Sequence, residues 1–329
     1  MGFLLGIDLG SGGCKVSLLD TTAGMVKTLS DEYLTYYPAP GWAEQDPEAW
    51  ILSASNLIRK ILDERNCKPV EIEAVGLSGV THSLVTLDKN NHVLGKTIHL
   101  TDSRSKIQAE KLKRQAGGLI EKLGLNTVDV MWTISMLDWI REKEPDRWKK
   151  IAKILFPKDY LRYRLTGLIM TDHIDAQGTL LFNPEKKKWE PELAGLIGLD
   201  MNVLPEIENP TRIVGKVTDE GSGWSGLAPD TPVITGSTDT LCEIFAAGSR
   251  SIGDTTIKLA TFGRITVISD RPVTAPGIIT YTYIVPGLWY PGTGTRSCGT
   301  SLRWFRDEFC RDLKGRPGSA YKAMEEEAK

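Results

Sequence analysis

Cysteine, histidine and surplus charge are all scarce in this chain. The five cysteines (Cys14, Cys67, Cys242, Cys298 and Cys310) are odd in number, far apart and never in a C-x-x-C pair. That excludes a disulfide framework and a cysteine-based zinc site, and it points to reduced thiols in a cytoplasmic protein. Outside His82, the histidines are His92, His99 and His173, with no metal-ligand spacing. Lys plus Arg number 40 against 42 for Asp plus Glu, a formal net charge of -2. Such a balance gives no electrostatic reason to expect nucleic acid or an anionic membrane as a partner. No stretch approaches the roughly 18 apolar residues of a membrane span. The N-terminus lacks the basic region of a signal peptide, Asp8 interrupts its apolar run, and Gly6 stands where a myristoylation signal wants Ser or Thr. No short repeat is visible, which excludes a solenoid.

What is present is ordinary soluble composition, 41% hydrophobic and 25% charged over 329 residues, enough for a sizeable core and about two domains. The pattern predicts three strands, at Phe3 to Asp8, Cys14 to Leu19 and Met25 to Thr35. A helix follows, with Asp46 as N-cap, Pro47 at its first position and Trp50, Ala54, Leu57, Ile58, Ile61 and Leu62 on one face. Short buried strands are expected at Ala74 to Leu77 and Leu84 to Leu87. Helices are expected at Ile107 to Leu123, Thr133 to Lys143 and Asp159 to Leu165. Three antiparallel strands followed by alternating helix and strand predict an α/β fold with a mixed sheet. The character changes near residue 230: a strand at Thr231 to Gly236, a helix at Thr240 to Ala247 and two strands around Thr261-Phe262-Gly263 predict a second domain of similar design. The expected division is 1–230 and 231–329.

Three segments could carry chemistry. In Gly6-Ile7-Asp8-Leu9-Gly10-Ser11-Gly12-Gly13-Cys14-Lys15, a carboxylate ends an apolar strand before a glycine turn. A Mg²⁺ near Asp8 and phosphates over the turn would satisfy both features, and a plain hairpin with an acid at its mouth is the alternative. The turn leads into a strand, so it is neither a Walker A loop nor a dinucleotide-binding fingerprint. Asp239, in Gly236-Ser237-Thr238-Asp239-Thr240, follows a buried strand and opens a helix. It could be an N-cap, or a general base kept ionised by helix N–H groups. Leu259-Ala260-Thr261-Phe262-Gly263-Arg264 could be a second phosphate-contacting turn or an ordinary hairpin. Thr81 and His82, Asp102 and Arg104, and Asp172 and Asp175 are polar groups placed after buried strands.

Together these residues resemble the FGGY family of carbohydrate kinases, and its xylulose kinase branch most. The resemblance rests on Gly6-Ile7-Asp8-Leu9-Gly10, on Gly41-Trp42-Ala43-Glu44-Gln45-Asp46-Pro47-Glu48-Ala49-Trp50, on Pro157-Lys158-Asp159-Tyr160-Leu161-Arg162-Tyr163-Arg164-Leu165-Thr166-Gly167, and on Asp172-His173-Ile174-Asp175-Ala176-Gln177-Gly178-Thr179. It implies two actin-like (ribonuclease H-like) domains closing on ATP and a sugar, the first complete and the second partial. It further implies Asp239 as catalytic base, and Thr81, His82, Asp102, Arg104 and Asp239 as sugar contacts. Asp8, Gly10, Ser11, Gly12, Lys15, Thr261 and Gly263 would handle the nucleotide phosphates, with Asp8 ordering Mg²⁺. The implied reaction is phosphoryl transfer from ATP to a hydroxyl of a ketose such as D-xylulose, in the cytoplasm; a homodimer is compatible with it. The alternative is an inactive sugar-binding or regulatory protein. Departures from the family pattern are Gly79-Val80-Thr81-His82 for Gly-Gln-Met-His, Leu100 for Trp, and Ala260-Thr261-Phe262 for Gly-Thr-Ser. Family members run longer and carry a glycine-rich adenosine-binding segment not found here, so a C-terminally incomplete chain is expected.

Overall fold

The computed structural model describes residues 2–259, 263–295, 297–310 and 317–328. The Ala260-Thr261-Phe262 segment, with the phosphate contact expected at Thr261, lies outside them.

The three expected strands form an antiparallel meander. Strands β1 (Phe3–Leu9), β2 (Gly13–Asp20) and β3 (Gly24–Glu32) pair antiparallel, and β1 sets Asp8 opposite Lys15. Helix α1 (Pro47–Arg65) starts where Asp46 Oδ1 accepts the Glu48 N–H at 3.0 Å, and ends at Asn66 in the left-handed region. Its expected apolar face is buried, Trp50, Ile58 and Ile61 completely, against Leu5, Ile7, Val16 and Leu18 of the sheet.

The strand Ile72–Gly79 runs parallel to β1, with Ser78 beside Asp8. The sheet then continues through Pro232–Ile234, parallel, to Ile213–Lys216, antiparallel, at its edge. This corrects the expectation that a second unit opens at residue 231. Val233 pairs with Val75 and is fully buried, and Ser237–Thr238 pairs with Ser78 and Gly79. The segment stays on the first sheet because its apolar residues have that core to fill. Between the two short pairings lies Gly236, at φ 78, where a Cβ would stand 2.3 Å from the Leu77 carbonyl oxygen. Only glycine fits there. Three parallel strands therefore end on one side of the sheet, delivering Asp8, the Val80-Thr81-His82 turn and Asp239 together. Open α/β sheets bind ligands at such carboxyl ends.

Helices α2 (Lys106–Gly124) and α3 (Thr133–Lys143) fall where expected and build a second core around Trp132, Ile134 and Leu137. Tyr281, Tyr283 and Tyr290 pack into that same core. The strand Val85–Leu87 pairs with Lys153–Leu155, outside the large sheet. Beyond residue 250, Thr255–Leu259, Gly263–Val267 and Gly292–Thr295 form a separate antiparallel sheet, followed by the helix Gly299–Phe309. Ile257, Leu259, Ile265, Trp304 and Phe309 are exposed there.

Candidate active site

The first glycine turn is held from behind. The Gly10 N–H reaches the Gly13 carbonyl at 3.0 Å, Gln45 Nε2 donates to the Ser11 carbonyl at 2.7 Å, and the Tyr33 hydroxyl donates to the Gly10 carbonyl. The Tyr33 N–H takes the Gly12 carbonyl at 3.3 Å. With these carbonyls occupied and Ser11 and Gly12 exposed, the turn can present N–H groups to an anion. At Gly13 a Cβ would meet the Asp31 carbonyl at 2.6 Å, so the close approach of β3 requires glycine. Asp8 is half-buried; its Oδ1 accepts from Ser78 Oγ at 3.0 Å, and its Oδ2 lies 3.8 Å from the exposed Lys15 ammonium.

Asp239 is the first residue of the helix Asp239–Ala246. The N-cap alternative is corrected: Thr238 caps the helix, its Oγ1 accepting the Leu241 N–H at 3.3 Å. Asp239 Oδ1 instead takes the Thr240 N–H at 2.6 Å and the Thr240 hydroxyl at 3.3 Å. The expectation that helix N–H groups hold it well ionised is also corrected. Burial, reinforced by the nearby negative charge of Asp8, pushes its carboxyl up to about 6, against the opposing pull of the Thr240 N–H. Burial disfavours the charged form more than one hydrogen bond restores it. A carboxyl poised there suits proton abstraction near neutral pH.

The Val80-Thr81-His82 turn lies at the same end of the sheet. Thr81 Oγ1 is buried without a hydrogen-bond partner among the described residues, a group that calls for a ligand or water. Both ring nitrogens of His82 are spent. Its Nδ1–H donates to the Gly178 carbonyl at 3.0 Å and its Nε2 accepts from the Tyr281 hydroxyl at 3.1 Å. Trp132 stands edge-on at 4.8 Å, and burial pushes the imidazole down to about 4, so it stays neutral. His82 thus ties the first-sheet turn to the second core.

Asp102 and Arg104 are brought together, deep in the protein. Asp102 Oδ2 accepts from the Ala43 N–H at 2.6 Å and from Arg104 Nε at 2.9 Å, and its Oδ1 from the Arg104 N–H at 2.8 Å. Arg104 also pairs with Glu44 at 2.9 Å and lies over the Trp42 ring at 3.7 Å. The pair anchors the loop that carries Gln45 to the glycine turn. Gly263 opens the second strand of the small sheet, facing Thr295.

Sequence reasoning missed three supports. Ser78 and Gln45 carry no local signal, since only strand register and loop path bring them to Asp8 and Ser11. The third is a wholly buried charge cluster, of which Asp172 and Asp175 were singled out by their place after buried strands but Lys158, Asp159 and Arg162 were not. Lys158 Nζ reaches Asp159 at 2.5 Å, Asp172 at 2.8 Å and Asp175 at 2.9 Å, while Arg162 pairs with Asp159 at 3.1 Å. Burial and two neighbouring carboxylates push Asp175 up to about 7, against the pull of Lys158. Its signal was available: charges at 158, 159 and 162 interrupt the apolar face of a short helix. Asp172 Oδ1 accepts from Ser237 Oγ at 3.1 Å and Arg162 Nη1 donates to the Thr235 carbonyl at 2.7 Å, so the cluster grips the strand that leads to Asp239.

Residues 3–246 match the FGGY family of carbohydrate kinases, N-terminal domain. Over 314 residues the chain is 31% identical to a xylulose kinase of Lactococcus lactis, covering 95% of this chain and 63% of that protein. The crystal structure of a "xyloylose kinase" from Brucella ovis superposes with a TM-score of 0.86 at 28% identity, covering 93% of this chain and 63% of that one. The xylulose kinase from Rhodospirillum rubrum shares the fold, with a TM-score of 0.91 at 24% identity over 98% of this chain and 65% of that one. The chain therefore spans under two thirds of the length of these proteins, and it shares the actin-like fold of these sugar kinases. The extent of the match, which takes in both the Asp8 turn and the Asp239 helix, makes this chain a member of the FGGY family of carbohydrate kinases.

Proposed function

We propose that the chain carries the sugar and phosphate side of an ATP-dependent carbohydrate kinase whose acceptor is a hydroxyl of a ketose such as D-xylulose. The observation that carries the reading is Asp239: a carboxyl raised to about 6, beside Asp8, at the common end of three parallel strands. Asp239 takes the proton of the accepting hydroxyl as its oxygen forms a bond to the terminal phosphorus of ATP; the bridging P–O bond breaks and ADP leaves. Thr81 Oγ1 and Asp239 hold the sugar; His82, Asp102 and Arg104, expected as further sugar contacts, have protein partners instead and support the turn and the loop beside it. The Gly10 to Gly13 turn and Lys15 receive the phosphates, joined by Gly263 and Thr261 of the second turn.

Among the described residues no group of three His, Cys, Asp or Glu side chains could hold a metal by itself. That donor set fits Mg²⁺, which binds one or two carboxylates and completes its shell with phosphates and water. Asp8 would hold it, and when bound it neutralises phosphate charge. The supporting domain division is an actin-like unit followed by a second one that begins with the small sheet. The free state of all five cysteines supports a reducing compartment.

The test is sugar-dependent ADP release with xylulose, ribulose and glycerol, alongside calorimetric titration of each. Turnover with a ketose supports the reading, whereas sugar binding without turnover at any ATP concentration would favour a binding or regulatory protein.

A further inference from the structure

Among the described residues, each other arginine held at least partly inside the protein has an acid beside it; Arg141 has Asp138 and Arg306 has Asp307. Arg104 has Asp102 and Glu44, Arg147 has Glu144, Arg162 has Asp159, and Arg164 has Glu48. Arg264 is different. It is half-buried in the strand Gly263–Val267, and among the described residues no carboxylate lies within ion-pair distance of it. Its strand partner Lys258 is already committed, 2.6 Å from Glu243. The one hydrogen bond Arg264 makes among the described residues runs from Nη1 to Thr240 Oγ1, at 3.3 Å. That hydroxyl in turn donates to Asp239 Oδ1. The guanidinium charge also reaches His82, Tyr281 and Tyr290, lowering the proton affinity of all three. Arg264 therefore stands where the base, the histidine turn and the aromatic wall meet. The groups it reaches directly, the Thr240 hydroxyl, the His82 imidazole and the two tyrosines, are neutral, the Asp239 carboxyl lies one hydroxyl away, and of the five N–H groups of a guanidinium one is used among the described residues.

We propose that Arg264 is a phosphoryl-oxyanion contact of this site, binding through its unspent N–H fork the oxygens of the phosphoryl group beside Asp239. The inference rests on the kinase reading for the origin of that group. The chemistry fits in two ways. A planar fork matches two oxygens of a tetrahedral phosphate. The anion also brings the charge that a half-buried guanidinium beside neutral rings lacks. The group has two sources, the terminal phosphate of the nucleotide and the phosphate of the sugar ester. No bond is made or broken at Arg264 itself.

The experiment is calorimetric titration of the chain, as wild type, Arg264→Gln and Arg264→Lys. The probes are inorganic phosphate, xylulose 5-phosphate, a non-hydrolysable ATP analogue, xylulose and gluconate. Arg264→Gln is expected to weaken inorganic phosphate about tenfold or more, the scale of a charge-assisted hydrogen bond, and to leave xylulose within about twofold. Arg264→Lys should fall between, because a point charge replaces a fork. A matching loss for xylulose 5-phosphate assigns the sugar ester as source, and one for the ATP analogue assigns the nucleotide. Unchanged phosphate affinity, no phosphate binding by the wild type, equal losses for xylulose and its phosphate, or a loss confined to gluconate would each overturn the proposal. Melting curves accompany every variant, and if Arg264→Gln does not fold, the comparison of wild type with Arg264→Lys decides. Phosphate binding that depends on Arg264 in a chain that binds no sugar would sink the kinase reading and leave this contact standing.

Discussion

Replacing Asp239 by Asn should lower activity and raise stability together, a combination that a structural acid does not produce. In the folded chain the carboxyl is lifted from 3.8 to about 6. Between those values the native state binds a proton that the unfolded chain has released. Stability contributed by this group is therefore present below pH 3.8 and is lost as pH rises through about 6. At pH 7.5 the ionised group works against folding, by up to about 3 kcal/mol at ~1.4 kcal/mol per pH unit. Asp239 keeps partial access to solvent, which screens this to the order of 1–2 kcal/mol. Asn has the same shape and still accepts the Thr240 N–H, but never ionises. The variant should melt a few degrees higher at pH 7.5, at roughly 2–4 °C per kcal/mol, and the gain should vanish below about pH 4. In the same samples kcat should fall by about 10²- to 10⁴-fold, with xylulose affinity retained. Differential scanning fluorimetry from pH 4 to 8, paired with a coupled ADP assay, reads both. A lower melting temperature at pH 7.5, or near wild-type kcat, would refute the argument.

Asp8→Asn removes a charge that raises Asp239, so the acid limb of the pH–rate profile should move to lower pH while kcat drops and xylulose affinity stays within a few-fold; an unmoved limb would separate the two carboxylates. Lys158→Met leaves three buried carboxylates without their shared cation and should cost about 3–5 kcal/mol, visible as a large fall in the urea midpoint. Gly236→Ala places a Cβ 2.3 Å from a carbonyl oxygen at φ 78; it should cost upwards of about 1 kcal/mol and reduce kcat more than sugar affinity, because the strand break sets where Asp239 begins its helix.

Local pattern carried far. Strand-length runs and the Ser11-Gly12-Gly13 turn cluster between them placed β1 to β3, the Asp46-Pro47 signal placed the start of α1, and the structure adds why Gly13 must be glycine. Long-range pairing was the limit. The Thr231 to Gly236 run reads as a strand in any context, and only its neighbour Val75 tells which sheet it joins. Thr238 and Asp239 are both fair N-caps by residue type, and the hydrogen bond from Leu241 chooses between them. The rise in the Asp239 carboxyl had no local sign, because it comes from burial and from Asp8, far away in the chain. Likewise Asp102 and Arg104 were expected as sugar contacts, and their pairing with each other under Trp42 depends on how the loop folds back.

The turn into Asp239 shows how the missed residues bear on the site. The Thr235 carbonyl is held by Arg162, Gly236 is wedged against Leu77, Ser237 is tied to Asp172, and Thr238 closes the cap. Four successive residues are thus fixed by four different partners before the carboxylate appears. Two of those partners belong to the buried cluster, whose three acids exceed its two cations by one charge. The rise of Asp175 to about 7 lets one proton settle that difference inside the protein, with no need for solvent. Buried charges of this kind add little stability over well-packed apolar residues. What they add is geometry: each hydrogen bond has one satisfactory arrangement, and a strand held by several of them cannot slide. A base must lie within hydrogen-bond reach of the proton it takes, where an error of about 1 Å costs on the order of 10²-fold. The cluster places its rigidity along the segment that sets that distance.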